Sequence, residues 1–142
     1  MKLVLDANVL ISAYFWRGNP HTVFNRIIDG LDSLFITDEI VDEIGCVIRK
    51  PRFHATIEQI NGFMAGVLEL GQKIAVSPHD RVIGVCRDPD DEKYIECAVT
   101  GKVDYIISGD RDLLDIKRYN DVRIISAREY LDIVTQYKKG TI

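Results

Sequence analysis

The stretch "LVLDANVLIS", residues 3–12, decides the fold of this chain. Leu3, Val4 and Leu5 form a continuous apolar run, which is typical of a strand buried on both faces of a parallel sheet. The run breaks at Asp6, and the apolar character resumes at residues 9–11, which predicts the start of a helix. A charge between two buried segments is unfavourable unless something compensates it. The compensation for Asp6 must come from elsewhere in the chain.

Length and composition indicate one ordinary globular domain. The chain has 142 residues, of which 46% are hydrophobic and 28% charged, and we predict a single domain over residues 1–142. No apolar run approaches the ~20 residues that span a bilayer, and the N-terminus does not read as a signal peptide. We therefore expect a cytoplasmic protein that makes no membrane contact.

The charges and the cysteines narrow the function classes further. A net charge of −4 argues against a nucleic-acid partner, unless the acids gather at a metal site and basic clusters such as "RKPRF" (49–53) and "DIKRY" (115–119) lie elsewhere. Cys46, Cys86 and Cys97 show no CxxC spacing, which disfavours a zinc site or a disulfide framework and predicts buried or half-buried thiols.

Strand and helix patterns alternate along the chain. Strands are predicted at residues 2–6, 33–36, 74–76, 103–108 and 122–126. Helix starts are predicted with Asn19 as N-cap, at Asp38, at the Thr56–Gln59 capping box, at "DPDD" (88–91) and at the Ser126–Glu129 cap. In "DPDD", Asp88 is the predicted N-cap and the last two acids fall in the first helical turn. This order predicts an α/β fold with a mainly parallel sheet covered on both faces. Ligands of such folds bind beyond the carboxyl ends of the strands.

Two acids follow predicted strands, and two more lie on helices. Asp6 and Asp110 come directly after buried strands. Asp91 shares a helix face with the apolar side chains four and seven residues later, so it points toward the core. Glu43 borders the apolar stripe of its helix, whereas Asp42 falls nearly opposite that stripe and should be solvated. These positions distinguish Asp6, Glu43, Asp91 and Asp110 from the other acids.

All of these acids except Asp91 also have a simple structural explanation when taken singly. Asp6 and Asp110 suit helix caps, Asp112 an ordinary first-turn acid and Glu43 a flanking residue of a core stripe. Four carboxylates brought together would repel one another and raise each other's pKa values. A hard divalent cation removes that repulsion, and oxygen-only ligands suit Mg²⁺ or Mn²⁺.

Such a site has a natural chemistry. One or two cations would polarise a phosphodiester, activate a water and stabilise the leaving oxygen. Asn8 and Ser108 would orient a carboxylate or a phosphate by hydrogen bonds, and local turn or capping bonds explain these two residues equally well.

Ordered motifs over nearly the whole chain carry a family resemblance. They are "LVLDANVLIS", "TDEIVDEIGCVIRKPRF", "CRDPDDEKYIECAVTGKVDYIISGDRDLL" and "VRIISAREYL". Together they resemble a PIN domain, most closely the prokaryotic VapC-like branch of toxins from toxin–antitoxin pairs. The resemblance implies a three-layer α/β/α sandwich and a Mg²⁺- or Mn²⁺-dependent endoribonuclease acting on single-stranded RNA. It also implies a homodimer and an antitoxin protein partner.

The resemblance assigns roles residue by residue. The family's acidic quartet falls on Asp6, Glu43, Asp91 and Asp110, with Asp112 as an auxiliary acid. Ser108 stands where many members have threonine, and it keeps the hydroxyl group.

Three rival interpretations use similar residues. A signalling receiver domain would need a lysine at the end of a late strand, where this chain has Ser126 and Ala127 before Arg128. A haloacid-dehalogenase phosphatase would need a second aspartate where Asn8 stands. A non-catalytic PIN-like scaffold that binds RNA or protein is the third, and the intact acids argue against it.

Overall fold

The computed structural model describes residues 1–138, and the last four residues of the predicted 1–142 domain lie outside the described part. The strands are β1 (Lys2–Leu5), β2 (Ser33–Ile36), β3 (Gly71–Lys73), β4 (Tyr105–Ile107), β5 (Arg118–Tyr119) and β6 (Val122–Ile125). The helices are α1 (Ala7–Phe15), α2 (Asn19–Ile28), α3 (Asp38–Ile48), α4 (Ile57–Leu70), α5 (Glu92–Gly101), α6 (Arg111–Ile116) and α7 (Ala127–Lys138). Short 3₁₀ turns cover Pro51–Phe53, Pro78–Asp80 and Pro89–Asp91. No helix within residues 1–138 is long and apolar enough to cross a membrane.

The strands form one mainly parallel sheet in the order β3-β2-β1-β4-β6-β5. Only β5 runs antiparallel, paired with β6. The central strand β1 pairs in parallel with β2 and with β4, and three of its four residues, Leu3, Val4 and Leu5, are buried. The fold class predicted from the sequence is confirmed.

Helices cover both faces of the sheet. Phe35 of β2 lies on one face, where a Cβ added to Gly101 of α5 would approach its ring to 3.2 Å. Tyr105 of β4 points to the other face, where its ring packs edge-on against Tyr130 of α7 with the centroids 5.6 Å apart. The result is a three-layer α/β/α arrangement whose core is the sheet and the helix stripes that pack against it.

Most helix ends lie where the capping pattern predicts. The predicted capping box at Thr56 and Gln59 is present, with both reciprocal hydrogen bonds in place. Ser126 and Glu129 likewise exchange hydrogen bonds at the start of α7. The N-cap prediction for Asn19 is wrong by one residue, because Gly18 occupies the cap and its carbonyl accepts the Thr22 N–H.

One strand prediction and one cysteine prediction need correction, and one strand was not predicted. The third strand is Gly71–Lys73 and not 74–76, because it pairs with β2 directly after α4 ends, and only the Ile74 N–H extends the ladder, to Ile36 O. The two-residue strand β5 lies inside the predicted basic cluster 115–119. All three thiols are free, and Cys86 and Cys97 are buried as predicted, but Cys46 is exposed on the solvent side of α3.

Candidate active site

Asp6 lies at the carboxyl end of the central strand and begins α1. Its carboxylate accepts the Val9 N–H at 2.9 Å as the N-cap of that helix, and the Ser108 hydroxyl donates to its other oxygen. The residue is only 4% exposed. Burial raises the pKa of Asp6 and Asp110 adds repulsion, against hydrogen bonds from Ser108 and Val9 that lower it. Asp6 is thus both a helix cap and a buried carboxylate in a site.

Ser108 links the ends of β1 and β4. Its buried hydroxyl donates to Asp6 and accepts the backbone N–H of Asp110 at 2.9 Å. The Asp110 carboxylate in turn caps α6 by accepting the Asp112 N–H at 3.0 Å. Because Ser108 is 1% exposed, it is placed to orient the Asp6 carboxylate and not to touch a phosphate directly. The predicted caps at Asp6 and Asp110 are therefore present within the same cluster.

Asp91 ends the 3₁₀ turn that precedes α5. It occupies the N-cap position of that helix without a side-chain capping hydrogen bond, and Asp88 caps the turn by accepting the Asp90 N–H. Burial, together with the carboxylates of Asp110, Asp88 and Glu43, raises the pKa of Asp91 to about 7. Asp110 and Glu43 therefore both lie close enough to Asp91 to repel its carboxylate.

Glu43 reaches the cluster from α3 through a tyrosine. The buried Tyr94 of α5 donates its hydroxyl to one Glu43 oxygen, and that hydroxyl also accepts the Ala7 N–H at 3.1 Å. Lys93 lies 3.5 Å from the other Glu43 oxygen. Burial and the Glu43 carboxylate raise the pKa of Tyr94, so the phenol stays protonated and remains a donor. Asp42 is exposed, as its helical position predicts.

Sequence reasoning missed Tyr94 and Lys93. Tyr94 lies on a buried face of α5 and is 2% exposed, so its pattern is that of an ordinary core aromatic. Nothing in the order of residues 92–95 signals that its hydroxyl joins α3 to the start of α1. Only the packing of three helices brings these groups together.

The remaining predicted residues lie at the rim. The Asp112 carboxylate faces Arg87, with 3.4 Å between the nearest nitrogen and oxygen. Asn8 is exposed, and its side-chain oxygen accepts a hydrogen bond of 3.1 Å from Arg52. The cations near the cluster thus pair with Glu43 and Asp112, whereas Asp6, Asp91 and Asp110 form no ion pair within residues 1–138.

The donor set fits a hard divalent cation by its chemistry. Asp6, Asp91 and Asp110 offer oxygen atoms alone, and the repulsion that raises the pKa of Asp91 is what a cation would relieve. Within residues 1–138, no group of three or more His, Cys, Asp or Glu side chains is arranged so that it could hold a metal ion by itself. Mg²⁺ commonly keeps several waters and takes only one or two protein carboxylates. The residues therefore fit a partly hydrated ion.

The fold and the site together define an α/β domain with an acidic cluster at the carboxyl edge of a parallel sheet. Residues 2–112 match the PIN domain. The chain therefore belongs to the PIN domain family, whose fold is nuclease-like.

Two further comparisons agree with this assignment. An uncharacterized protein of Methanocaldococcus jannaschii is 29% identical over 124 residues, which cover 84% of this chain and 77% of that protein. The crystal structure of a protein from Pyrobaculum aerophilum matches with a TM-score of 0.66 at 16% identity, covering 95% of this chain and 96% of that one. At that identity the second comparison bears on the fold alone.

Proposed function

We propose that this chain is a Mg²⁺- or Mn²⁺-dependent endoribonuclease that cleaves single-stranded RNA. The observation that carries the proposal is the repulsion that Asp110 exerts on both Asp6 and Asp91, three carboxylates that form no ion pair in residues 1–138. Membership of the PIN domain family supports hydrolysis of a phosphodiester as the reaction.

Each residue of the cluster then has a distinct task. Asp6, Asp91 and Asp110 would hold the cation, which supplies Lewis-acid polarisation of the phosphate and a more acidic bound water. Ser108 fixes the Asp6 carboxylate by its hydroxyl, so that this ligand does not have to be ordered when the substrate binds.

Glu43 is the carboxylate that we assign to the attacking water. Tyr94 and Lys93 each hold one of its oxygens, and this restricts the side chain to one orientation above the cluster. A carboxylate held in this way accepts a proton from water in a fixed direction, which is the requirement of general-base catalysis.

A cleavage assay tests the proposal directly. Purified protein is incubated with end-labelled, unstructured RNAs and with the same RNAs as duplexes, in Mn²⁺, in Mg²⁺ and in chelator. We expect cleavage of single strands in either metal and none in chelator. An Asp6→Asn protein purified in parallel controls for contaminating nucleases. Cleavage that survives both chelator and Asp6→Asn would overturn the proposal.

A metal titration makes a negative result interpretable. Mn²⁺ binding to the wild type and to Asp6→Asn is measured by electron paramagnetic resonance or calorimetry. Mn²⁺ binding that depends on Asp6 without any RNA cleavage would assign the chain to the non-catalytic scaffolds. If Mn²⁺ does not bind, the metal centre itself is wrong.

We propose further that the physiological role is that of a toxin in a toxin–antitoxin pair. The support is the resemblance of the ordered motifs to VapC-like proteins, which also suggests a homodimer and an antitoxin partner. Induced expression in a bacterial host should arrest growth, and expression of Asp6→Asn at the same level should not. Equal growth in both cultures would contradict the toxin role.

A further inference from the structure

A second cleft adjoins the candidate site on its α1 side. Asn8, Ser12, Arg52, Phe53, Gly109 and Asp110 are among the residues that line it, and its volume is about 550 Å³. Because Asp110 belongs to both, the cleft continues directly from the acidic cluster.

The Phe53 ring lines this cleft, and two further aromatic rings pack against Phe53. Phe53 stacks on Phe15, with centroids 6.1 Å apart and planes 12° apart, and the Trp16 ring lies 6.2 Å from Phe53. Trp16 remains 56% exposed, although burial of an indole is strongly favourable. We call Phe15, Trp16, Arg52 and Phe53 the aromatic shelf.

The cations at the shelf have no carboxylate partner. The Arg52 guanidinium lies 4.8 Å from the centroid of the Phe53 ring and donates to Asn8. Arg17 follows Trp16 and is exposed. Neither arginine forms an ion pair within residues 1–138. Positive charge therefore stays available at a surface that borders an acidic site.

The opposite side of the cluster has the reverse character. A cleft of about 590 Å³ there is lined by Glu39, Asp42, Glu43, Asp90, Glu92 and Glu96, with Arg81 and Lys93 as its cations. A polyanion approaching the cluster is repelled on this side and attracted on the side of the shelf. The charges therefore favour binding of a polyanion in the cleft on the side of the aromatic shelf.

We propose that the aromatic shelf binds an unpaired base and its phosphate from single-stranded RNA next to the cleaved bond. This inference rests on the proposed function, since it names the part of that substrate's binding surface. Exposed aromatic rings stack on any base, and an arginine beside them contacts the phosphate backbone. Proteins bind single-stranded nucleic acid without sequence specificity through these two contacts. A base inside a duplex has no free face to offer, so the shelf favours single strands.

The only tryptophan in the chain is Trp16, which gives a direct probe. Labelled single-stranded RNA is titrated into the wild type in chelator, so that no cleavage occurs, at low salt. We expect quenching of the indole fluorescence on binding, and much weaker quenching by a blunt duplex of the same sequence. Equal quenching by the duplex, or RNA binding without quenching, would overturn the inference.

Variants locate the binding by anisotropy of the labelled RNA. Trp16→Leu and Arg52→Gln should each weaken affinity about tenfold, near the lower part of the range for one stacked base. The matched controls are Ile83→Ala, which changes a 94% exposed apolar residue, and Arg118→Gln in the other basic cluster. Both should bind within about twofold of the wild type. Equal losses in all four variants would mean that binding is non-specific and would overturn the inference.

The outcomes separate this inference from the proposed function. Loss of RNA binding in the shelf variants of a protein that never cleaves RNA supports the shelf and rejects the nuclease. Cleavage by shelf variants with unchanged KM supports the nuclease and rejects the shelf. Shelf variants that bind RNA normally but change the sedimentation mass would show that protein covers this surface, which also rejects the inference.

Discussion

Two buried aspartates lie at opposite ends of the sheet and differ in their partners. Asp32 precedes β2 at the amino edge, and its fully buried carboxylate accepts hydrogen bonds from Arg26 at 2.9 and 3.4 Å. Asp6 follows β1 at the carboxyl edge and is equally buried, but its partners are the neutral Ser108 hydroxyl and Val9 N–H. A buried carboxylate that pairs with a cationic side chain is typical of a structural ion pair. A buried carboxylate without such a partner indicates a site that binds a positively charged ligand.

The largest expected difference between the two aspartates is in activity. Asp6→Asn should lower RNA cleavage at least ~10²-fold, because it removes a charge that holds the cation while an amide keeps the shape. Asp32→Asn should cleave at the wild-type rate when assayed well below its melting temperature. Rates under saturating Mn²⁺, with folding checked by circular dichroism, measure this contrast. Similar losses of activity in both variants would contradict the assignment of Asp6 to the site and of Asp32 to a structural ion pair.

A second contrast separates two neighbours on α3. Glu43→Gln should reduce the rate about 10²-fold, because the amide cannot accept the proton of the attacking water. Asp42→Asn should leave the rate nearly unchanged, since that side chain is exposed and has no hydrogen-bond or ion-pair partner in residues 1–138. Single-turnover rates would show this. A loss confined to Asp42→Asn would mean that the quartet is misassigned.

For stability we expect the opposite ranking: Asp32→Asn should destabilise the fold more than Asp6→Asn. Asp32→Asn should lower the free energy of unfolding by about 2 kcal/mol, the scale of a hydrogen bond to a charged group. Part of the Arg26 side chain reaches solvent, which limits the loss. Urea denaturation of both variants in chelator compares them. If Asp6→Asn proves the less stable variant, the Asp6 charge stabilises the fold.

Asp110 offers a smaller effect in the opposite direction. Asp110→Asn should raise the free energy of unfolding of the metal-free protein by about 1 kcal/mol, since it removes repulsion with Asp6 and Asp91 and asparagine still caps α6. Asp110→Ala relieves the same repulsion but loses the cap, so it should show no gain. Thermal melts in chelator at neutral pH check both. A lower melting temperature for Asp110→Asn would make this residue a purely structural cap.

The last expected effect is a dependence of stability on pH. Burial and neighbouring carboxylates raise the pKa of Asp91 from 3.8 to about 7. Between these values the folded chain keeps a proton that the unfolded chain releases, so this group's contribution to stability falls as pH rises through that window. Asp91→Asn lacks the titration. The melting temperature of the variant relative to wild type should therefore increase from pH 5 to pH 8 in chelator, and a constant difference would contradict the assignment.

Local sequence patterns were enough to predict most of the helices and strands. The apolar run at residues 3–5 and the capping boxes at Thr56 and Ser126 gave correct elements, because strand burial and helix capping depend on residues near in sequence. The third strand was misplaced at 74–76, because an edge strand is set by its pairing with β2 and its own apolar pattern is weak. Pairing is not a local property.

The sequence by itself determined the inner strands of the sheet and the carboxylates that follow them. Short apolar runs that end at a polar residue are visible in the order of the residues, and they predicted where Asp6 and Asp110 fall. Only the tertiary structure decided which charges have partners: Arg26 pairs with Asp32, Lys93 with Glu43 and Arg87 with Asp112, while Asp6, Asp91 and Asp110 form no ion pair in residues 1–138. The tertiary structure also decided the contacts of Tyr94 and of the aromatic shelf, whose rings come from residues 15–16 and 53. The physical reason is that electrostatic and stacking energies depend on distance in space, which residues far apart in sequence acquire only when the chain has folded.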